Sequence, residues 1–396
     1  MDITMNDSTI RQTKKIMYLL DSLAEPGGVE RVLTDKMNYL VSNGFEITVV
    51  TYQQGNHPII FPLHPNVKHI DTSTPFYTIY KYNRIRRIFK LTQIKKQFRR
   101  VLQKIINAEK PDVIIITTYG IPTCGIVTKL DTKAKLIVEA HAPKSMTIEG
   151  NIHSKNRIRR FIDIVYNEYQ CRKVKQFDLL VLLTESSYHD WKSIAKKHIV
   201  IPNPVTYFPE SISHNTTPLK RIIAAGRLHP QKGYDRLIEA YAMISNQCPE
   251  WHVDIFGIGD EKQHLIDLIK YKKMQNKIFI HPATPKIYEE YSRSDFFVLS
   301  SRFEGLPLVL IEAMSSGLPC LSFRCKYGPE DIIEDGKNGI LVEDGNIQQL
   351  AEKILWMCNH EKERNIMGIQ ARKTSEKYKK ENIMPKWINL FNTLPQ

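Results

Sequence analysis

Phe296-Phe297-Val298-Leu299 runs directly into Ser300-Ser301-Arg302-Phe303-Glu304-Gly305-Leu306-Pro307-Leu308-Val309-Leu310-Ile311-Glu312. Four consecutive apolar residues predict a strand covered on both faces, as in a parallel sheet. Pro307 suits the first turn of a helix, where its missing N–H is no loss. The stretch therefore reads as strand, loop and helix, with Glu304 in the loop and Glu312 on the helix. A helix start exposes free backbone N–H groups and the positive end of the helix dipole, and both favour a bound diphosphate. Taken alone, the same letters also fit an ordinary strand-to-helix turn carrying two solvated glutamates.

The alternation extends in both directions. Strands are predicted at Arg221–Ala225, His252–Phe256, Lys277–Ile280 and Pro319–Phe323, with helices between them. Nearer the N-terminus, Lys15–Leu20 leads through the loop DSLAEPGGVER into a helix whose Val29, Leu33, Met37 and Leu40 recur at helical spacing. Gly44 ends that helix and Glu46–Thr51 follows as a strand, completing a β-loop-α-β unit. Further apolar runs lie at Asp112–Thr117, Leu136–Ala140 and Asp178–Leu183. Two such series in 396 residues predict two α/β domains of roughly 200 residues each. Pro202 and Pro204 cannot continue a helix or a central strand and mark the connection. The expected division is 14–203, 204–370 and a helical tail, 371–396. That tail should lie back across the first domain, with Trp356 and Trp387 as packing anchors.

Composition narrows the function. Residues 1–200 carry 31 Lys or Arg against 18 acids, whereas 201–396 carry 25 against 24, so the net +14 is a property of the first half. A nucleic-acid binder would usually spread or repeat its basic surface. The six cysteines show no C-x-x-C pair and no neighbouring histidine cluster, which fits free thiols in a reducing compartment better than zinc or disulfides. The first fifteen residues lack an apolar signal core, and no run reaches the roughly 18 apolar residues of a membrane span. The protein is expected to be cytoplasmic.

After the strand Arg221–Ala225 comes Gly226-Arg227-Leu228-His229-Pro230-Gln231-Lys232-Gly233-Tyr234-Asp235. An arginine can grip a phosphate through two hydrogen bonds and a lysine supplies a compact charge. At the carboxyl end of a parallel strand, where α/β folds bind ligands, this pair suits a departing nucleoside diphosphate. No Asp-x-Asp triplet occurs, so no metal clamp of that kind is predicted, nor any metal or cofactor beyond a nucleotide-sugar co-substrate. No G-x-G-x-x-G follows the first strand, which argues against a nicotinamide or flavin enzyme.

The segments AGRLHPQKGYDRLIEA, FGIGD, SSRFEGLPLVLIEAMSSGLPCLSF and GPEDIIEDGKNGILV closely resemble glycosyltransferase family 4 (glycosyl transferases group 1). The likeness is strongest over about residues 220–345. Pro26-Gly27-Gly28-Val29-Glu30-Arg31 supports it in the first domain, and residues 52–135 carry little of it. The resemblance implies a GT-B fold, two Rossmann-like domains facing a central cleft, and a retaining, metal-independent hexosyltransferase. The donor, by family tendency a UDP-sugar, would be held mainly by the second domain.

Carried over by motif, Arg227 and Lys232 are the diphosphate clamp, Glu312 accepts from the ribose hydroxyls, and Glu304 stands beside the transferred sugar. Gly305, Leu306 and Leu308 would contact sugar or phosphates. Gly27 and Gly28 would approach from the opposite domain, Gly259 would face the nucleotide, and His141 would stand near the attacking hydroxyl. The acceptor would be a glycan or lipid-linked glycan of surface polysaccharide or lipopolysaccharide synthesis. A nucleotide-sugar binding protein and a sugar-nucleotide epimerase are the alternatives.

From Lys81 to Lys104 there are ten Lys or Arg and no acid, interleaved at mainly helical spacing with Ile85, Ile88, Phe89, Phe98, Val101, Leu102 and Ile105. A second basic cluster is Lys155-Asn156-Arg157-Ile158-Arg159-Arg160-Phe161. Together they offer a peripheral contact with the anionic inner face of the cell membrane. They fit equally a solvated helix whose apolar side packs into the domain. Few aromatics interleave with the charges, so nucleic acid is not expected.

Overall fold

The computed structural model describes residues 13–74, 76–118, 121–144, 157–211 and 220–395. Two parallel sheets organise them. The first has the order β3-β2-β1-β4-β5-β6-β7 and the second β10-β9-β8-β11-β12-β13. In the first, β1 is Lys15–Leu20, β2 Glu46–Thr51, β3 Lys68–Asp71, β4 Val113–Thr117, β5 Lys135–Ala140, β6 Leu179–Leu182 and β7 His198–Val200. In the second, β8 is Arg221–Ala225, β9 His252–Phe256, β10 Ile278–His281, β11 Phe296–Leu299, β12 Cys320–Phe323 and β13 Gly339–Val342. Each sheet reverses its strand order once, between β1 and β4 and between β8 and β11. Loops diverge at such a switch point and leave a crevice at the carboxyl ends of the strands.

Three strands have no counterpart in the sequence reading. β3 and β7 are partly exposed edge strands of four and three residues. They carry no continuous apolar run, because only one neighbour covers them. β13 is fully buried, but four residues opening on a glycine fall short of a strand signal.

Helix α1, Gly28–Ser42, and the helix Lys380–Thr393 cover one face of the first sheet. There Leu33, Met37 and Leu40 pack with Ile383, Met384, Trp387 and Phe391. Trp387 thus anchors the chain's return to the first domain, while Trp356 stays partly buried and stacks on His360. The return occurs around Glu376–Lys379, since Glu361–Ser375 still packs with the second domain. On the opposite face of the first sheet lies helix α2, Arg84–Glu109, whose Ile94, Phe98, Leu102 and Ile106 are buried at four-residue intervals. The packed-helix reading therefore holds for its C-terminal half. All six cysteines are buried and unpaired. No helix among the described residues is long and apolar enough to cross a membrane.

Candidate active site

The loop after β8 and the loop after β11 are tied to each other before any ligand is considered. Arg302 makes a two-pronged contact with Asp235, at 2.9 and 2.6 Å, and Ser300 Oγ donates to the Lys232 carbonyl at 2.9 Å. Gln231 Nε2 adds a bond to the Phe303 carbonyl at 3.1 Å. These contacts fix Lys232 so that its Nζ donates to Glu304 Oε1 at 2.6 Å, and Ser301 Oγ donates to the same oxygen at 2.6 Å. Glu304 is 5% exposed, so its charge is held by these two donors rather than by bulk water. Arg227 is exposed and makes no ion pair with any described residue.

These residues border a cavity of about 420 Å³ between the domains, within the usual range for small-molecule sites. From the second domain it receives Arg227, Lys232, Glu304, Gly305, Leu306, Leu308 and Glu312. The first domain contributes Gly27, Gly28 and His141. Two helix starts open onto it from opposite sides. α1 begins after Gly27 and the helix Leu308–Ser315 after Pro307, and neither start is capped by a side chain. The start of Leu308–Ser315 leaves its first N–H groups for an anion, whereas at α1 the Glu30 carboxylate turns back over Gly27 and onto its own backbone N–H. A second hollow of about 540 Å³ adjoins it, lined by Arg31, Phe61, Tyr207 and Tyr288, and shares Gly28, Leu308 and Glu312 with the first. Glu312 thus stands on the wall between the two. Burial pushes its carboxyl up to about 7, against the opposing pull of Arg31 and Lys232.

Two residues sit differently from their sequence-based roles. Gly259 does not line the cavity, although Gly257 and Ile258 do. It takes φ +153°, and a side chain there would run into the backbone of Leu228. Gly259 therefore packs behind the wall and fixes the Arg227 loop. His141 reaches the cavity, but with its main chain, since the imidazole is fully shielded from solvent. Its Nε2 lies 3.1 Å from Glu139 Oε2, and Lys36 Nζ donates to that same oxygen at 2.5 Å. Burial alone would raise the Glu139 carboxyl, yet Lys36 and His141 bring it below the ordinary value, so it is ionised and Nε2 carries the proton. Nδ1 is buried and has no partner among the described residues.

Sequence reasoning missed this pair. The available signals were an acid inside the run KLIVEA and a lysine next to Met37 on the buried face of α1. It also missed Asn203, which lines the cavity from the connection between the two prolines. The domains are further held by Ser186, whose backbone N and Oγ donate to the Asp331 carboxylate at 3.1 and 2.5 Å.

Known proteins share this organisation over its full length. An uncharacterized glycosyltransferase of Haemophilus influenzae is 27% identical, over 96% of this chain and 100% of that protein. The amylovoran biosynthesis glycosyltransferase AmsD of Erwinia amylovora is 26% identical, over 96% and 99%. The poly(ribitol-phosphate) alpha-N-acetylglucosaminyltransferase of Staphylococcus aureus reaches 37% identity, but only over 42% of this chain and 34% of that protein. Among solved structures, TarM superposes with a TM-score of 0.76 at 19% identity, covering 97% of this chain and 99% of its own, and shows the fold to be GT-B. Residues 26–206 match the model for Glycosyltransferase Family 4 and residues 210–374 that for Glycosyl transferases group 1, so the two halves facing this cavity are both glycosyltransferase domains.

Proposed function

We propose that the protein transfers a hexosyl unit, with retention at the anomeric carbon, from a UDP-sugar to a glycan or lipid-linked glycan during surface polysaccharide synthesis. The observation that carries this reading is one cavity bordered by the uncapped start of the helix Leu308–Ser315, by Arg227 and Lys232, and by the carboxylates Glu304 and Glu312. Breaking the donor's glycosidic bond leaves negative charge on the departing diphosphate and positive character on the sugar ring. Preorganised cations on one side and a carboxylate on the other lower that barrier. Arg227, Lys232 and that helix start supply the counter-charge, so transfer proceeds in chelator. Glu304 already accepts two hydrogen bonds on Oε1, which suits it to orient and stabilise the sugar rather than attack it. The likeness to AmsD favours a polysaccharide product, and a neighbouring fold, HepE from Anabaena, has been solved with UDP and glucose.

Acceptor-dependent UDP release from one donor, measured across a panel of UDP-sugars in chelator, is the expected result. Donor binding without turnover would favour the binding-protein reading. A changed sugar without any acceptor would favour the epimerase.

Two further outcomes follow from the site. If Glu312 must be ionised to accept from the ribose hydroxyls, affinity for an intact UDP-sugar falls as pH drops below about 7, by at most tenfold per pH unit. Stability moves the other way. The fold favours protonated Glu312, so its contribution is present below the ordinary carboxylate range and is lost as pH rises through about 7. Calorimetric titration of Glu312→Gln should show weaker binding without that slope; an unchanged slope would remove Glu312 from the role. In Gly305→Ala, the new Cβ would lie 2.7 Å from the His141 carbonyl across the cleft. Relief at about 1–3 kcal/mol is expected to weaken UDP binding by about 5- to 150-fold. Wild-type affinity would mean that the domains do not need this close approach.

A further inference from the structure

α2 and the helix Arg157–Arg172 begin on the same edge of the first sheet. Each follows a strand of that parallel sheet, β3 and β5 respectively, so each starts at the carboxyl edge, where the cavity lies. Lys95 on α2 donates to the Tyr166 hydroxyl at 3.3 Å, which places the two helices side by side. Of the second basic cluster, residues 155 and 156 lie outside the described residues, as do the side chains of Arg157, Ile158 and Arg159.

What the two helices present outward is unusual for a soluble surface. Phe89 is 73% exposed and Phe161 67% exposed, each within the first two turns of its helix. Val165, Tyr166 and Tyr169 continue the exposed apolar row. Lysines sit against the rings, with Lys95 over Tyr166, Lys173 over Tyr169 and Lys90 over Tyr82. Arg86, Lys96, Arg100 and Arg160 add exposed charge, and residues 81–104 contain no acid to offset it. Aromatic rings that enter a headgroup layer while lysines and arginines meet its anionic surface are the features that hold an interfacial helix on a bilayer.

We infer that this two-helix face docks the protein on an anionic lipid bilayer, with Phe89 and Phe161 inserted and the surrounding Lys and Arg on the headgroups. The charge argues for that occupant. A second copy of the same face would set a basic surface against a basic surface, a duplex would leave the aliphatic and phenyl row unused, and a single strand would use the rings but not the aliphatic side chains between them. Docking stands on the patch alone. That it carries the cavity to a lipid-linked acceptor rests on the transferase reading.

The test is co-sedimentation of the full chain with phosphatidylcholine vesicles, with and without about a third phosphatidylglycerol. Binding is expected to the anionic vesicles only, and to weaken as salt rises. Phe89→Ser with Phe161→Ser should reduce it by at least tenfold. Arg86→Gln, Lys96→Gln and Arg160→Gln together should reduce it by roughly a hundredfold, at about fivefold per charge. All five side chains are exposed, so unfolding temperature and UDP binding should stay at wild-type values and separate this outcome from failure of the transferase reading. Equal binding to neutral vesicles or none to either would overturn the proposal. So would tighter binding to duplex DNA, or an oligomer that the Phe variants dissolve. Loss of activity on a membrane-borne acceptor alone, with transfer to a soluble acceptor retained, would tie docking to acceptor delivery.

Discussion

Lys36→Ala is expected to lower the unfolding temperature of the first domain by roughly 10 °C. Both members of the Lys36–Glu139 pair are 1% exposed, and their contact is 2.5 Å. Removing one partner of such a pair strands the other charge in a low-dielectric interior, at a cost of about 3–5 kcal/mol, and each kcal/mol is worth about 2–4 °C in a domain of this size. The lysine also lies 3.9 Å above the Trp387 ring, so its loss loosens the helix Lys380–Thr393 where the chain returns from the second domain. The surface pair Lys15–Glu46, at 3.3 Å with both side chains about half exposed, serves as the control and should cost under about 1 kcal/mol when broken.

The double variant Lys36→Ala with Glu139→Gln distinguishes a stranded charge from lost packing. With both charges removed, much of the stability should return. Activity should not return with it. Glu139 fixes the proton of His141 on Nε2, and the His141 carbonyl is the part of the first domain that faces Gly305. A double variant that stays as unstable as Lys36→Ala would show that the methylene stem of the lysine, not its charge, matters to the core.

The buried pair also shows where sequence reading stops. β1, β2, β8, β9 and β11 were legible to the residue, because a strand covered on both faces reads as a short, largely apolar run bounded by turn residues. The loop positions of Arg227, Lys232 and Glu304 followed from those strands, since a parallel sheet delivers its loops to one edge. β3 and β7 did not, because an edge strand is free to be polar. Glu139 and Lys36 were invisible for a different reason. Each sits at a position that the periodicity marks as apolar, and only their meeting across 103 residues makes either tolerable. His141 carried the same ambiguity: its place after β5 was legible, whereas the turn of its ring away from the cavity depends on that unseen partner. Gly259 was placed toward the nucleotide by resemblance alone, since the motif FGIGD is too short to say so by itself, and here close backbone packing against Leu228 explains the glycine.

Lys232→Ala is expected to lower kcat/KM by about 10- to 100-fold or more. A charge-assisted contact of about 1.5–3 kcal/mol made only as the diphosphate departs is worth that factor in rate. The geometry suggests that the loss exceeds one contact. In the structure Lys232 Nζ is bonded to Glu304 Oε1, so under the proposed reading the lysine would both meet the diphosphate and hold the carboxylate beside the sugar. Without it Glu304 keeps only Ser301 among these two donors, in a wall where it is 5% exposed. Arg227→Ala should show the smaller effect, since Arg227 pairs with no carboxylate among the described residues and, under the proposed reading, would act on the diphosphate alone. Glu304→Gln provides the separation. If Lys232 acts partly through Glu304, the double variant Lys232→Ala with Glu304→Gln will lose less than the product of the single losses; strict multiplication would mean that the lysine serves the diphosphate alone. Lys232→Arg should recover little, because a planar guanidinium cannot replace a point charge held at 2.6 Å between a carboxylate and the cavity. Wild-type kcat/KM in Lys232→Ala would remove the clamp, and with it the account of how the cavity stabilises the leaving group.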